Sequence, residues 1–394
     1  MMLPNGWKKV KLEDVADIFD GTHQTPDYVD EGVPFVSVEN IEDIWSTDKF
    51  ITKEAFDAYP EKPRKNDILM TRITAGIIGK TAIVDCDKPL AYYVSLALIR
   101  CKKDVVSPNY MSQYIEGPYF KKELNKRIIH TAFPKKINLG DIGKCMVEFP
   151  PIEEQKKIAA TLSVWDSAIE KMEKLIESKE TLLTEYGKDL FGKTEQKQNK
   201  NWATIALSEV LSEHGDKSTG EEEVFSVSVH KGLVNQIEHL GRSFAAKDTS
   251  NYNRVHYGDI VYTKSPTGDF PLGIVKQSLV KEDVVVSPLY GVFTPQTFEL
   301  GVILDFYFSS PINANNYLRP VAQKGAKNTI NITNKKFLSA KLRLPIDVKE
   351  QKKIAQFVQT TKKEMAVLQD ILENYKKQKQ GLMQKLLTGQ WRVK

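Results

Sequence analysis

The 394-residue chain has no apolar run approaching 18 residues, and Met1 to Val10 contains no apolar signal core. Neither a membrane span nor a secretion signal is expected, and a cytoplasmic location is. Cysteine is scarce: Cys86, Cys101 and Cys145 are odd in number and lack metal-like spacing, so they read as reduced, partly buried thiols. The histidines (His23, His130, His214, His230, His239 and His256) are scattered without ligand spacing, and no metal is expected. No glycine-rich cofactor-binding strand-turn is present, so no cofactor is expected. The nearest approach to a phosphate-binding loop, Thr74-Ala75-Gly76-Ile77-Ile78-Gly79-Lys80-Thr81, lacks the first glycine and runs into a strand-like stretch rather than a helix. Ser287-Pro288-Leu289-Tyr290 lacks the second proline of an amino-methyltransferase word. Strong charge of one sign is also missing: the formal net charge is +5, compatible with a nucleic-acid partner without requiring one.

What the chain does contain is a word written twice, Glu154-Gln155-Lys156-Lys157-Ile158-Ala159 and Glu350-Gln351-Lys352-Lys353-Ile354-Ala355, each after a proline-bearing apolar lead-in. Apolar positions then follow in steps of four and three: Ile158, Leu162, Trp165, Ile169, Met172, Ile176, Leu183, Tyr186 and Leu190. The second copy reads Ile354, Val358, Thr361, Met365, Leu368, Leu372, Tyr375, Leu382 and Leu386 at constant offset. Polar breaks fall at Lys179 and Lys379. This is a heptad seam, and two such helices of roughly 40 residues, about 60 Å each, bury it best against one another. The connectivity makes that pair antiparallel.

The globular stretches repeat more faintly. Trp7 to Val15 aligns with Trp202 to Val210, Asp67 to Arg72 with Asp259 to Lys264, Val94-Ser95 with Val286-Ser287, and Ile137-Asn138-Leu139 with Ile330-Asn331-Ile332. Strands are expected at 33–38, 67–71, 81–84, 93–100, 224–229, 259–262, 273–275 and 284–286, and helices at 107–124 and 297–309. The expected divisions are a globular domain (1–150), a central helix (151–192), a linker with a second globular domain (193–343), and a final helix with its tail (344–394). The fold class is α+β: two mixed domains separated by long helices forming an antiparallel coiled coil, with a pseudo-twofold internal repeat. The tail Gly389 to Lys394 echoes Trp7 to Lys11, as though a third copy were starting.

This arrangement resembles the DNA-specificity subunit of type I restriction-modification systems. The resemblance rests on the doubled helix word (Pro151-Ile152-Glu153-Glu154-Gln155-Lys156-Lys157-Ile158-Ala159 and its second copy, where Val348-Lys349 is inserted), on Gly21-Thr22 and Thr25-Pro26, on Gly32 to Val36, and on Asp67-Ile68-Leu69 and Gly258 to Val261. It implies a non-catalytic subunit whose two target-recognition domains each read half of a split double-stranded DNA target. It also implies that the helices act as a spacer and dock two modification (adenine N6-methyltransferase) subunits, with restriction subunits joining that core. The residue types that contact bases and phosphates then single out His23, Gln24, Thr25, Arg72, Thr74, Lys121, Lys122, Lys126, Arg127, His130, Lys135 and Lys136 in the first domain. In the second they are His230, Lys231, Lys264, Ser265, Thr267, Arg319, Gln323, Lys324, Lys327, Asn328 and Thr329. Two alternatives remain open at this point: a coiled-coil adaptor that bridges proteins without reading DNA, and a nucleotide-binding protein using Lys80.

Overall fold

The computed structural model describes residues 3–192, 200–240, 248–324 and 330–393, without the side chains of 239, 240, 324, 330 and 331. Most of the expected linker, 193–199, lies outside the described residues. By contacts the chain separates into two units: residues 1–173 with 370–394, and residues 174–369.

In the first unit a four-stranded antiparallel sheet runs in the order Ala16–Asp20, Leu96–Cys101, Ile68–Thr71, Thr81–Ile83. Its strands are rich in β-branched and long aliphatic residues, and Ile68, Leu69, Met70, Leu96, Leu98 and Ile99 are fully buried. A two-stranded ribbon, Lys8–Lys11 against Met146–Phe149, brings the start of the domain beside its end. The second unit repeats the order with Leu211–Glu213, Gly291–Pro295, Ile260–Tyr262 and Val275–Gln277. Its closing ribbon is Trp202–Ala206 against Lys341–Pro345. Trp7 and Trp202 are buried at the heads of the two ribbons, so the aligned Trp words mark one structural position.

Four expectations need correction. The helix expected over 107–124 is two helices, Pro108–Glu116 and Pro118–Asn125. Gly117 between them is extended, because the ring of Pro118 disfavours the helical conformation in the preceding residue. The strand expected at 273–275 is Val275–Gln277, since Gly273 sits at φ +103°, in the turn before it. The Ile-Asn match is displaced by two residues: Ile137 and Ile332 are the buried residues ahead of short helices whose N-caps are Asn138 and Thr333. The tail echo does not become a third copy, for Trp391 stays about half exposed and opens no strand among the described residues.

The long helices are Ile152–Phe191 and Val348–Leu386. Every residue assigned to their apolar seams is buried or half-buried. Within the first unit Trp165 packs edge-on to Tyr375 (5.5 Å between centroids), Glu173 pairs with Lys376 at 2.7 Å, and Lys379 pairs with Asp166. Within the second, Tyr186 packs on Phe357 (4.4 Å) and Lys179 pairs with Glu364 at 2.6 Å. From Asp166–Lys379 to Glu173–Lys376 in the first unit, and from Lys179–Glu364 to Tyr186–Phe357 in the second, numbers rise on one helix as they fall on the other, the signature of an antiparallel pair.

The repeated glutamine explains the repeated word. Gln155 is completely buried: its Nε2 donates to Pro150 O (2.9 Å) and Val105 O (3.1 Å), and its Oε1 accepts from Ser107 N (2.8 Å). Gln351 donates to Pro345 O (2.9 Å) and accepts from Thr297 Oγ1 (2.7 Å). Ser107 and Thr297 are the N-cap residues of equivalent helices. Gln155→Ala leaves buried polar groups without partners, and we expect a loss of about 2–3 kcal/mol in unfolding free energy. Denaturant titration checks this; an unchanged midpoint would show that the amide does not anchor the helix.

Candidate nucleic-acid interface

In the first domain the candidate residues lie on three loops, which Arg72 joins, and on helix Pro118–Asn125, which carries Lys121 and Lys122. The Arg72 side chain is buried, with Nη2 donating to Asp20 Oδ1 (2.7 Å) and Nη1 to Ile137 O (3.3 Å). Its backbone accepts from Ile137 N (3.0 Å). Asp20 also holds His23 Nε2 at 2.8 Å. Arg72 therefore ties the early loop of His23, Gln24 and Thr25 to the glycine turn and to the late basic loop. It is withdrawn from the surface, where His23, Gln24 and Thr25 are exposed. The turn and the late loop meet directly: Ile73–Thr74 pairs antiparallel with Lys135–Lys136, Thr74 opposite Lys135. Lys121, His130 and Lys135 line one cavity of about 180 Å³ with Gly76 and Ile78. Lys122, Lys135 and Lys136 are exposed and make no ion pair among the described residues, whereas Lys126 and Arg127 both engage Glu123. Lys126 contributes most to holding the Glu123 carboxyl below its usual range, so the charge of these two is partly answered within the protein.

The second domain repeats the scheme with other residues. Lys264 occupies the position of Arg72, half-buried at φ +57°, a region that side-chain-bearing residues adopt rarely; burial pulls its ammonium pKa down. Ser265 and Thr267 are exposed on the following turn, closed by the Thr267–Phe270 bridge. Thr71 and Thr263 do the same work at the base of the two turns: Thr71 Oγ1 accepts from Lys80 N (3.0 Å) and Thr263 Oγ1 from Ile274 N (3.0 Å). Arg319 and Gln323 are exposed, and Gln323–Lys324 pairs with Ile330–Asn331. Lys327, Asn328 and Thr329 lie outside the described residues, as does the side chain of Lys324. His230 and Lys231 stand exposed at the hairpin joining Phe225–Ser228 to Gly232–Asn235. His230 faces the helices, lining a groove of about 820 Å³ with Gly187, Phe191 and Ile312. Lys80, the residue of the near phosphate loop, pairs with Glu42 and leads into strand Thr81–Ile83.

A family model described as the type I restriction modification DNA specificity domain matches residues 4–180. The MjaVIII type I restriction enzyme specificity subunit of Methanocaldococcus jannaschii is 28% identical over 176 residues, covering 43% of this chain and 41% of that protein. A second M. jannaschii protein, designated the MjaX specificity subunit, is 25% identical over 100% of this chain and 95% of its own length. The chain is similar to type I restriction-modification DNA-specificity subunits, and the match to the specificity domain lies in residues 4–180. Among solved structures, the type I S subunit of M. genitalium shares its fold with TM-score 0.63 at 15% identity, over 98% of both chains. A chain from a structure of type I R-M complex assembly has TM-score 0.53 at 15% identity, over 99% of this chain and 100% of its own.

One surface feature is not legible from residue types. Phe133, at the tip of the late basic loop between His130 and Lys135, is 90% exposed. An aromatic between basic residues in a loop was visible in the sequence; its exposure was not. The geometry also separates two kinds of basic residue. Arg72→Ala should cost about 2 kcal/mol of stability by breaking a buried pair. The double change Lys135→Ala/Lys136→Ala should move stability by no more than about 0.5 kcal/mol, yet lower the slope of log K against log salt for duplex DNA by about 1.8. Thermal melts and binding isotherms at several salt concentrations test both; an unchanged slope would remove these lysines from the interface.

Proposed function

We propose that the chain is a non-catalytic reader of a split double-stranded DNA target, each globular domain recognising one half. The observation that supports this most is the duplicated frame with unlike filling: the same four-stranded sheet and closing ribbon occur twice, while the loops above them carry different polar and basic side chains. One frame with two fillings suits two half-sites of different sequence. The early, glycine-turn and late loops of each domain are the reading surface, with His23, Gln24, Thr25, Thr74, His130, Lys135 and Lys136 in the first, joined there by Lys121 and Lys122 of helix Pro118–Asn125. In the second they are Ser265, Thr267, Arg319, Gln323 and Lys324, with Lys327, Asn328 and Thr329. Arg72 positions these loops rather than touching DNA.

The paired long helices are the spacer and the docking surface for two adenine N6-methyltransferase subunits, which restriction subunits then join. Half-sites read from one side of a duplex fall about 34 Å apart, within the span of helices roughly 60 Å long. Among the described residues no helix is long and apolar enough to cross a membrane, and the complex is assigned to the cytoplasm with its DNA.

Mapping methylated adenines in cells that make this chain with its methyltransferase partner tests the reading. A split motif with a fixed gap, lost when the chain is deleted, is expected; an unchanged map from a folded, assembled complex would overturn it. Inserting four residues between Gly192 and Asn201 should lengthen the unread gap and leave both half-sequences as they were. Replacing residues 203–343 with another such domain should change one half-target only.

A further inference from the structure

The second domain contains a side-chain cluster that the DNA-reading role does not use. His214 and Asp216 follow strand Leu211–Glu213, and His256 follows strand Asn253–Val255. One ligand atom from each of the three lies within 4.8 Å of the others. The hydrogen bonds fix which atoms these are. His214 Nε2 is 2.9 Å from Asp259 Oδ2, a carboxylate almost fully buried, so this nitrogen carries the proton and donates it. His214 Nδ1 then presents a lone pair; it is buried, has no hydrogen-bond partner among the described residues, and lies 3.7 Å from Asp216 Oδ2. His256 Nδ1 is 2.8 Å from Asp283 Oδ1, and its Nε2 is 3.1 Å from Asp216 Oδ2. Two acceptors cannot both be satisfied by one neutral imidazole.

We propose that His214 Nδ1, His256 Nε2 and an Asp216 carboxylate oxygen bind one divalent transition-metal ion, with zinc the best match. In a tetrahedral zinc site with bonds near 2.0–2.1 Å, neighbouring ligand atoms stand roughly 3.3 Å apart, a value that the 3.1 and 3.7 Å separations bracket. Both imidazoles have the outer partner that metal-bound histidines ordinarily have: Asp259 behind His214 and Asp283 behind His256. Charge points the same way. Asp216, Asp259 and Asp283 converge on two imidazoles and one guanidinium, that of Arg254, which reaches Asp283 only at 3.9 Å and is engaged by Glu222 at 2.5 Å. Two imidazoles with one carboxylate select zinc, cobalt or nickel over magnesium or calcium. Asp216 is about half exposed, which gives the ion a path in and leaves its fourth position to water.

The first domain shows what the ion would replace. By strand register Asp67 and Asp259 are equivalent, Thr294 stands where the first domain has Arg100, and His214 stands where it has Phe19. In the first domain Arg100 closes on Asp67 through Nε (3.0 Å) and Nη2 (2.8 Å). The second domain has only the Thr294 hydroxyl there, 2.8 Å from Asp259 Oδ1. A cation held through His214 restores the missing positive charge and links the ends of two strands to the segment before strand Val284–Val286.

The test is zinc chloride titrated into chelator-stripped full-length protein, with a chromophoric chelator as competitor and magnesium chloride as control. One zinc per chain is expected, with a higher Tm than the stripped protein and no response to magnesium. Asp216→Ala should abolish stoichiometric binding. Asp283→Asn, which leaves all three ligands in place, should weaken it about 10–100-fold; circular dichroism confirms that both variants fold. Cobalt substitution should give tetrahedral d–d bands without thiolate charge transfer, which separates this site from the cysteines. No stoichiometric zinc, or zinc binding that neither variant changes, overturns the proposal and leaves the cluster as hydrogen-bonded ion pairs.

Discussion

The fold of each unit depends on a buried amide at the root of its long helix. A helix of 40 residues is a lever: a small error in its first turn becomes a large one at its far end. Gln155 and Gln351 suppress that error by binding three things at once, namely the carbonyl of a proline ending the closing ribbon, the cap of a domain helix, and the long helix itself. Because the amide is buried, its hydrogen bonds do not compete with water, and any other helix direction would leave several groups unpaired. A hydrophobic residue there would supply burial but no direction. The closing ribbons supply the rest of the joint, since each brings the entry of a domain to the point where its helix departs.

Polar interruptions then set the register of the helices. Apolar seams slide by whole heptads at modest cost, but a lysine in the seam has to find a carboxylate. Lys179 finds Glu364 in the second unit and Lys379 finds Asp166 in the first. A further tie in the second unit runs from domain to helix: Lys362 pairs with Asp305 at 2.7 Å, with Lys276 at 3.8 Å on its other oxygen. Burial of Asp305 alone would raise its pKa; the two ammoniums outweigh that and hold its carboxyl below the ordinary range. Such pairs add little net energy and much specificity, because the misregistered alternative buries a charge alone.

Much of this was legible in the sequence for a definite reason. Long helices announce themselves by period, and all the seam positions are covered by the fold. Buried strands such as Ile68–Thr71 and Val284–Val286 announce themselves by composition. Register-level details did not: the break at Gly117-Pro118 and the two-residue displacement of the Ile-Asn match depend on where a helix cap falls, which local pattern locates poorly. The candidate interface was the least legible part. Arginine looks the same in sequence whether it reads a base or staples three loops, and only tertiary packing puts Arg72 inside while Phe133 stands outside. The cluster of His214, Asp216 and His256 was invisible for a related reason: 40 residues separate Asp216 from His256, and only the pairing of strands Asn253–Val255 and Val284–Val286 brings His256 and Asp283 together.

The two domains together show which parts of the frame are fixed by physics and which are open to change. Asp67 and Asp259 make the same turn, accepting from the backbone N–H of Arg64 and of His256 at 2.8 Å each. Both are buried, so each carries the same electrostatic debt. The solutions differ: a guanidinium in one domain, a hydroxyl and an imidazole in the other. A position that must be a carboxylate tolerates several partners, provided its hydrogen bonds are complete. The same holds for the glycine turns, where Thr71 and Thr263 hold the base while the residues above them diverge. The frame thus confines its strict requirements to buried polar joints and leaves the loops free, and that separation allows one architecture to present two different surfaces.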